Sequence, residues 1–281
     1  MKLLIPACLL ALLLALPAQA GRLVSLGGPL TEIVVALGAE EQLVAVDSTS
    51  RHPPHLDELP DVGYVRQLSA EAILSVAPDL VLASPDAGPP AALEQLQAAG
   101  VAVVSVPEEP TPEGLVRKIR TIAKALDREE EGEAFAREKQ KELLRLEKVL
   151  ARTERKPGVL FLLSVGRGAP LAAGTGTTVH ALIEMAGGTN VLSGLEGYKP
   201  LNPEAASALD PEVIALTSDT LDALGGKDAL LARPELAGTR AAREGRLVEL
   251  DGFLLLGLGP RSDDAVRDLA AVLHPDVPLP E

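Results

Sequence analysis

Aromatic and sulfur-containing side chains are scarce in this chain of 281 residues, and basic residues are in the minority. There is no Trp, and there are two Tyr, three Phe and one Cys; 26 Lys and Arg stand against 40 Asp and Glu, a net charge of −14. Nucleic-acid binding needs clustered basic residues for the phosphates and, for single strands, rings on which bases stack. The composition therefore argues against a nucleic-acid partner.

The first twenty residues are typical of a secretory signal peptide. Lys2 precedes an apolar run that ends in the small-x-small sequence Ala18-Gln19-Ala20, so we expect export and cleavage after Ala20. The segment is too short for a membrane span followed by a stop signal. Cys8 lies inside the apolar run rather than after it, which is the wrong place for a lipid-modified N-terminus. A retained anchor helix or lipid anchor is the alternative.

Cleavage would leave residues 21–281, which contain no cysteine. Such a chain forms no disulfides and offers no thiolate for zinc, copper or iron–sulfur chemistry. It is long enough to be stabilised by an apolar core built from Ala, Leu and Val. At about 150 residues per domain, the length predicts two domains.

Strand and helix patterns alternate along the chain. Residues 22–26 and 43–46 have the pattern of strands and flank a helix at 30–37, and the alternation continues to about residue 106. A strand, a helix and a second strand at this spacing predict a parallel α/β unit. A new strand, starting at Val159, opens a second α/β region.

A charged stretch separates the two α/β regions. From Glu113 to Arg155 it is dense in Glu, Lys and Arg, with apolar residues at helical spacing. Gly132 interrupts this stretch, and we expect its last part, 133–153, to form one helix. The predicted organisation is a signal peptide at 1–20, an N-terminal α/β lobe at 21–128, a linking helix at 129–155 and a C-terminal α/β lobe at 156–281.

The two regions share a weak internal repeat. Residues 69–86 align with 202–219 at a constant offset, with four identical residues, one pair being Asp86 and Asp219. Each block predicts an N-cap, a short helix, a turn that begins with proline and a buried strand. The shared order of elements indicates duplicated architecture.

Both tyrosines of the protein lie just before these repeated blocks, each with a basic residue close by. The sequences are Gly63-Tyr64-Val65-Arg66 and Gly197-Tyr198-Lys199-Pro200. Ligands bind α/β sheets at the loops of one edge, and two facing lobes would form a cleft walled by such loops. We therefore expect both tyrosines to face one cleft. Covering of apolar surface by the rings is the alternative.

A phenol next to a guanidinium suggests iron ligation. Tyrosine has an ordinary pKa of ~10, and both a cationic neighbour and a ferric ion favour its phenolate. Tyrosine is also a known ligand of haem iron. Arg66 could hydrogen-bond the phenolate oxygen or a haem propionate, and its side chain would point the same way as that of Tyr64 if the segment were strand-like.

The segments 59–82 and 172–201 resemble those of the haem-binding periplasmic substrate-binding proteins of bacterial ABC haem importers. The similarity runs through essentially the whole chain after the signal peptide. It implies two Rossmann-like lobes joined by one long α-helix, the class III periplasmic binding protein fold, and transport of ferric haem without catalysis. It also implies a monomer in the periplasm whose partners are an inner-membrane ABC permease and its ATPase.

The resemblance also implies roles for single residues of the cleft. Tyr64 would be the axial ligand of ferric haem and Arg66 its hydrogen-bonding partner. Tyr198, in the facing wall, would stack on the porphyrin or bond a propionate. Some relatives have a histidine in the loop after the first strand of the C-terminal lobe; this chain has Arg167 nearby, a candidate propionate partner.

Glu71 and Glu204 occupy matching positions of the two repeated blocks. In the wider vitamin B12 and siderophore-binding family, the equivalent acids of the two lobes dock to arginines of the permease. The resemblance thus implies a docking role for both. Stabilisation of a helix dipole by a first-turn glutamate is the alternative.

Other functions remain as alternatives. A binding protein for a ferric siderophore or cobalamin would have the same fold, because the scaffold does not fix the ligand. A zinc-binding protein would need about four ligands, for which the chain offers His52, His55, His180 and His274. An enzyme is not expected, since the chain has no Gly-x-Ser-x-Gly elbow and no phosphate-binding Walker loop.

Overall fold

The computed structural model describes residues 21–163, 170–201, 203–252, 255 and 257–280. Its N-terminal part contains a four-stranded parallel sheet in the order β2-β1-β3-β4. Short apolar strands alternate with helices, as parallel pairing requires a crossover between neighbouring strands. These elements are β1 (Leu23–Leu26), α1 (Gly28–Ala36), β2 (Leu43–Val46), α2 (Ala70–Ser75), β3 (Leu80–Ala83), α3 (Pro90–Ala98) and β4 (Ala102–Ser105).

Two helices connect this sheet to the second one: α4 (Pro112–Ala125) and α5 (Glu129–Leu150). The expectation that Gly132 interrupts the charged stretch, with one helix at 133–153, is wrong, because α5 contains Gly132; it begins at Glu129, where the linking helix is predicted to start, and ends at Leu150. A Cβ on Gly132 would lie 2.2 Å from the Cβ of Ala123 in α4, so glycine here permits the close approach of the two helices. After Leu150 the chain leaves the α-helix in a tighter turn, with Thr153 N bonded to Leu150 O at 3.1 Å.

The C-terminal part contains a six-stranded mixed sheet. Five strands have the order β10-β9-β5-β6-β8, in which β5, β9 and β10 are parallel, β6 runs antiparallel to its neighbours, and β7 pairs with β5. The elements are β5 (Gly158–Leu163), β6 (Leu171–Ala173), α6 (Thr178–Met185), β7 (Thr189–Asn190), β8 (Tyr198–Pro200), α7 (Pro203–Leu209), β9 (Val213–Thr217), α8 (Ser218–Ala223), α9 (Gly226–Leu231), α10 (Arg240–Glu244), β10 (Leu247–Leu250) and α11 (Ser262–Leu273). The predicted α/β class is confirmed.

The repeated sequence blocks fold alike. Helix α2, a turn and β3 form the first block, and α7, a turn and β9 form the second. At matching positions of the two turns, Ala77 and Asp210 both have positive φ values, 44° and 39°. Residues other than glycine seldom adopt this conformation. The shared backbone irregularity therefore supports duplicated architecture.

Apolar and charged contacts hold the two lobes together. The largest apolar cluster contains residues of both sheets, of α4 and of α5. Arg261, next to α11, donates two hydrogen bonds to Glu32 of α1, at 3.0 and 2.6 Å. Lys118 of α4 is fully buried, forms an ion pair with Glu108 and donates to the carbonyl oxygen of Leu258. None of the helices within the described ranges has the length and apolar character needed to cross a membrane.

Candidate functional site

A cleft of about 1140 Å³ lies between the two lobes. Residues that follow β2, β3 and β4 line one wall, and residues at the ends of β5, β9 and β10 line the other. The carboxyl edge of an α/β sheet is where ligands bind, and the volume slightly exceeds the ~300–1,000 Å³ of typical small-molecule sites. The polar residues of the walls include Tyr64, Arg66, Asp86, Glu108, Tyr198, Asp219, Glu249 and Asp251.

Tyr64 projects into the cleft from a turn of the N-terminal lobe. Gly63 has a φ of 102°, and the turn is closed by a 2.7 Å hydrogen bond from Gln67 N to Tyr64 O. The segment is therefore a turn, and the condition under which the sequence predicted parallel side chains for Tyr64 and Arg66, a strand-like backbone, is not met. Val65 nevertheless packs into the core, 5% exposed, whereas Tyr64 is 41% exposed. The side chains of Tyr64 and Arg66 thus both avoid the core.

Arg66 is held by Asp86, which follows β3 at the edge of the sheet. Nη2 of Arg66 donates to Oδ2 of Asp86 at 2.6 Å. This hydrogen bond raises the pKa of Arg66 above its ordinary value, and the charge of Arg66 also interacts with Tyr64 and Tyr198. Asp86 had no predicted role. The signal that marks it in the sequence is its identity with Asp219 in the internal repeat.

Tyr198 faces the same cleft from the C-terminal lobe. It belongs to β8, where it pairs with Ala173 of β6, and it follows Gly197, whose φ is 70°. Burial raises the pKa of Tyr198 above its ordinary value, with a further rise from Asp86 and an opposing effect of Arg66. The Tyr198 side chain is therefore a neutral phenol near pH 7. The structure thus brings both tyrosines to one cleft.

The C-terminal wall combines carboxylates with an apolar surface. Glu249 accepts a hydrogen bond from Ser218 Oγ at 3.1 Å, and Asp251 accepts one from Arg261 Nη1 at 2.8 Å. Asp219 lies in the first turn of α8. The apolar surface is formed by Leu163, Leu171, Leu250 and Leu255.

Glu71 and Glu204 both lie in the first turn of a short helix, α2 and α7, and both side chains are exposed. Neither residue lines the cleft. Arg167, the predicted propionate partner, lies outside the described residues, and so does the predicted signal peptide at 1–20. The docking roles of Glu71 and Glu204, the propionate contact of Arg167 and the signal peptide all stay predictions.

His55, His180 and His274 each have separate surroundings. His55 contacts Glu40 at 2.5 Å, His180 Nδ1 lies 3.4 Å from the amide nitrogen of Asn190, and His274 is buried against the carbonyl of Gly187 at 3.1 Å. In the part of the chain that the structure describes, no three His, Cys, Asp or Glu side chains are grouped to hold a metal ion.

Comparison with known proteins places this chain in a family. Residues 23–253 match the periplasmic binding protein family, and the chain belongs to it. The structure of the periplasmic heme-binding protein RhuT from Roseiflexus sp. RS-1 is similar, with a TM-score of 0.87 and 40% identity over 91% of this chain and 98% of that one. A periplasmic heme-binding protein from Pseudomonas aeruginosa has a TM-score of 0.86 and 39% identity over 93% and 95% of the two chains.

A more distant relative is named for a different ligand. The vitamin B12-binding protein of Vibrio cholerae is 26% identical over 262 residues, which are 93% of this chain and 92% of that protein. The family consists of substrate-binding components of transport rather than enzymes, in agreement with the sequence prediction. The class III periplasmic binding protein fold expected from the sequence is likewise confirmed.

Proposed function

We propose that this protein captures ferric haem in the cleft between its lobes and delivers it to an ABC permease of the inner membrane. The observation that carries the proposal is that Tyr64 and Arg66 line one wall of the cleft and Tyr198 the other, with the charge of Arg66 close enough to interact with both tyrosines. Two heme-binding proteins, 40% and 39% identical over nearly their whole lengths, support the choice of ligand.

Tyr64 is the better placed of the two tyrosines to bind the iron. It is 41% exposed and lines the cleft, so its oxygen is accessible to the iron of a porphyrin that enters there. The pKa of Tyr198 is raised by burial, so its phenol is harder to deprotonate. We therefore assign the axial bond to Tyr64, and assign to Tyr198 a stacking contact or a hydrogen bond from its neutral hydroxyl.

The charges of the walls orient the porphyrin. Propionates are anionic and would be repelled by Asp219 and Glu249 on the C-terminal wall, where Asp251 is already paired with Arg261. The leucines of that wall suit the apolar edge of the ring, because burial of apolar surface stabilises the complex. The propionates are then directed toward Arg66, and Arg167, which lies outside the described residues, stays a further candidate partner.

Titration of the ligand-free protein with ferric haemin tests the proposal. The wild type should shift the Soret band and show the high-spin bands of a phenolate-bound ferric haem. Tyr64→Phe should abolish the phenolate-to-iron charge-transfer band, and Tyr198→Phe, the matched control on the other wall, should retain it. Lack of a spectral change in the wild type, or an unchanged spectrum for Tyr64→Phe, would contradict the proposal.

Cobalamin and ferric siderophores are the competing ligands, and the vitamin B12-binding relative makes cobalamin the first to test. Competition of cyanocobalamin with bound haemin measures the preference directly. A Tyr64–Arg66 site should keep haemin against an excess of cyanocobalamin. Displacement of haemin by an equal concentration of cyanocobalamin would favour cobalamin as the ligand.

We further propose that the protein acts in the periplasm as a monomer, after loss of residues 1–20, and that Glu71 and Glu204 dock it to the permease. Both acids are exposed at matching positions of the two lobes, which suits a permease built from two related halves. N-terminal sequencing of the exported protein tests the loss of residues 1–20, and light scattering tests whether the protein is a monomer.

A further inference from the structure

The Arg66 side chain is tied to the sheet by one residue, Asp86. Arg66 comes from the turn after Tyr64, whereas Asp86 follows β3 at the carboxyl edge of the sheet. Their 2.6 Å hydrogen bond joins residues 20 positions apart. Asp86 lies in the turn after β3, which is closed by a hydrogen bond from Ala87 N to Ser84 O at 3.0 Å, so its bond to Arg66 sets where the guanidinium lies in the cleft.

Without this bond, the Arg66 side chain would be poorly restrained. The side chains of Arg66 and Asp86 are 57% and 55% exposed, so packing alone does not order the guanidinium. A guanidinium has five N–H donors in one rigid plane, and the bond to Asp86 uses a donor on Nη2. Holding one edge of the plane therefore aims the remaining donors.

We propose that Asp86 is a positioning residue for ligand binding: it holds the Arg66 guanidinium beside the Tyr64 phenol, ready to donate to an iron-bound phenolate or a haem propionate. The proposal rests on the proposed haem-binding function. Its physical basis is preorganisation, since a donor that is already ordered loses less conformational freedom when the ligand binds.

The negative charge of Asp86 acts in the opposite direction on the same ligand. Asp86 lines the cleft itself, and a carboxylate there repels propionates and an iron-bound phenolate. Asp86 therefore favours haem binding through Arg66 and opposes it directly. Removal of Arg66 separates the two effects, because only the repulsion is left.

A double-mutant cycle with haemin tests the proposal. In the wild-type background, Asp86→Ala should weaken haem binding roughly threefold to fivefold, the scale of an exposed ion pair. Asp86→Asn should weaken it less, because the amide oxygen of asparagine still accepts a hydrogen bond from Arg66 and carries no charge. In an Arg66→Ala background, Asp86→Ala should leave the affinity unchanged or tighten it. The proposal would be overturned if Asp86→Ala weakened haem binding by the same factor in both backgrounds. It would also be overturned if Asp86→Ala caused no weakening in the wild-type background.

Asp57→Ala provides the matched control, because it breaks a similarly exposed ion pair of the same lobe, Arg51 Nη1 to Asp57 Oδ1 at 3.0 Å, and neither residue lines the cleft. It should not weaken haem binding, and weakening equal to that of Asp86→Ala would count against a special role for Asp86. Asp86→Ala should also shift the phenolate-to-iron charge-transfer band in the direction of Arg66→Ala, and an unshifted band would contradict the proposal. Thermal unfolding without haem verifies that each variant is folded.

The two proposals fail in different ways. A wild-type protein that gives no Soret shift with haemin overturns haem binding and, with it, the role of Asp86. A wild-type complex whose affinity and spectrum are untouched by Asp86→Ala overturns only the positioning role.

Discussion

Gly63 and Gly197 place the two tyrosines on opposite walls of one cleft through the same backbone feature. Each glycine has a positive φ, 102° and 70°, and each directly precedes a tyrosine that lines the cleft. Side-chain-bearing residues rarely adopt such conformations. The Gly-Tyr pair therefore serves as one unit in each lobe, with the glycine turning the chain and the tyrosine filling the wall.

Gly63→Ala should weaken both the fold and ligand binding. The added Cβ has space, with no heavy atom within 4 Å, so the cost arises from the backbone conformation and is about 1–3 kcal/mol. Relief of this strain would move Tyr64, so haem affinity should fall as well. Denaturant unfolding and haemin titration measure the two effects.

Gly194→Ala is the matched control for that substitution. Gly194 also has open space around its Cα, but its φ is not positive. Gly194→Ala should leave the free energy of unfolding and the haem affinity within experimental error of the wild-type values. Equal effects of the two substitutions would show that the conformation of Gly63 is not the cause.

The role of Tyr198 can be separated from that of Tyr64 by two substitutions. Tyr198→Phe removes one hydroxyl whose raised pKa keeps it neutral, so we expect a loss of roughly twofold to tenfold in haem affinity and an unchanged iron spectrum. Tyr198→Ala also removes the ring and should weaken binding further. A changed charge-transfer band in Tyr198→Phe would instead make Tyr198 an iron ligand.

The placement of both tyrosines could be predicted because the signal is local. Each follows a glycine and precedes a helix in a repeated block, and the carboxyl edges of both sheets meet the cleft. The contact between Arg66 and Asp86 could not be predicted, since it depends on how the turn that begins at Tyr64 folds over β3. Only the repeat, which pairs Asp86 with Asp219, marked the position.

The alternation of strands and helices could also be predicted from the sequence, but the contacts between the lobes could not. Lys118 lies within a charged stretch and would be taken for a surface residue, yet it is fully buried. Its partners are Glu108 and the carbonyl of Leu258, the latter 140 positions away in the chain. Pairing over such distances depends on the assembled lobes and leaves no periodic pattern.

Charge reversal at Glu71 and Glu204 tests the docking proposal. Glu71→Lys combined with Glu204→Lys should leave haem affinity unchanged, because neither residue lines the cleft. Uptake of haem through the permease should fall roughly tenfold or more, since like charges would face each other at the interface. Glu138→Lys, at an exposed position of α5, is the control for an altered surface charge. Uptake equal to that of this control would rule out docking through these acids.

Substitution of Lys118 should destabilise the junction of the lobes. Lys118→Met leaves Glu108 without its ion-pair partner and removes the donor to Leu258, so the free energy of unfolding should fall by about 3 kcal/mol. The double variant Lys118→Met with Glu108→Gln should recover much of that loss, because no unpaired carboxylate remains. Denaturant unfolding at neutral pH measures both, and a double variant no more stable than the single one would contradict the ion-pair account.

The burial of Lys118 leads us to expect that the free energy of unfolding rises with pH. Burial lowers the pKa of Lys118 below its ordinary value of 10.5, so in the window between the two values the unfolded chain holds a proton that the folded one has released. Stability increases with pH wherever the unfolded state binds more protons. Relative to Lys118→Met, the wild type should therefore gain stability as the pH rises toward 10.5. A constant difference between the two proteins across this window would mean that Lys118 stays charged in the fold, held by Glu108 despite its burial.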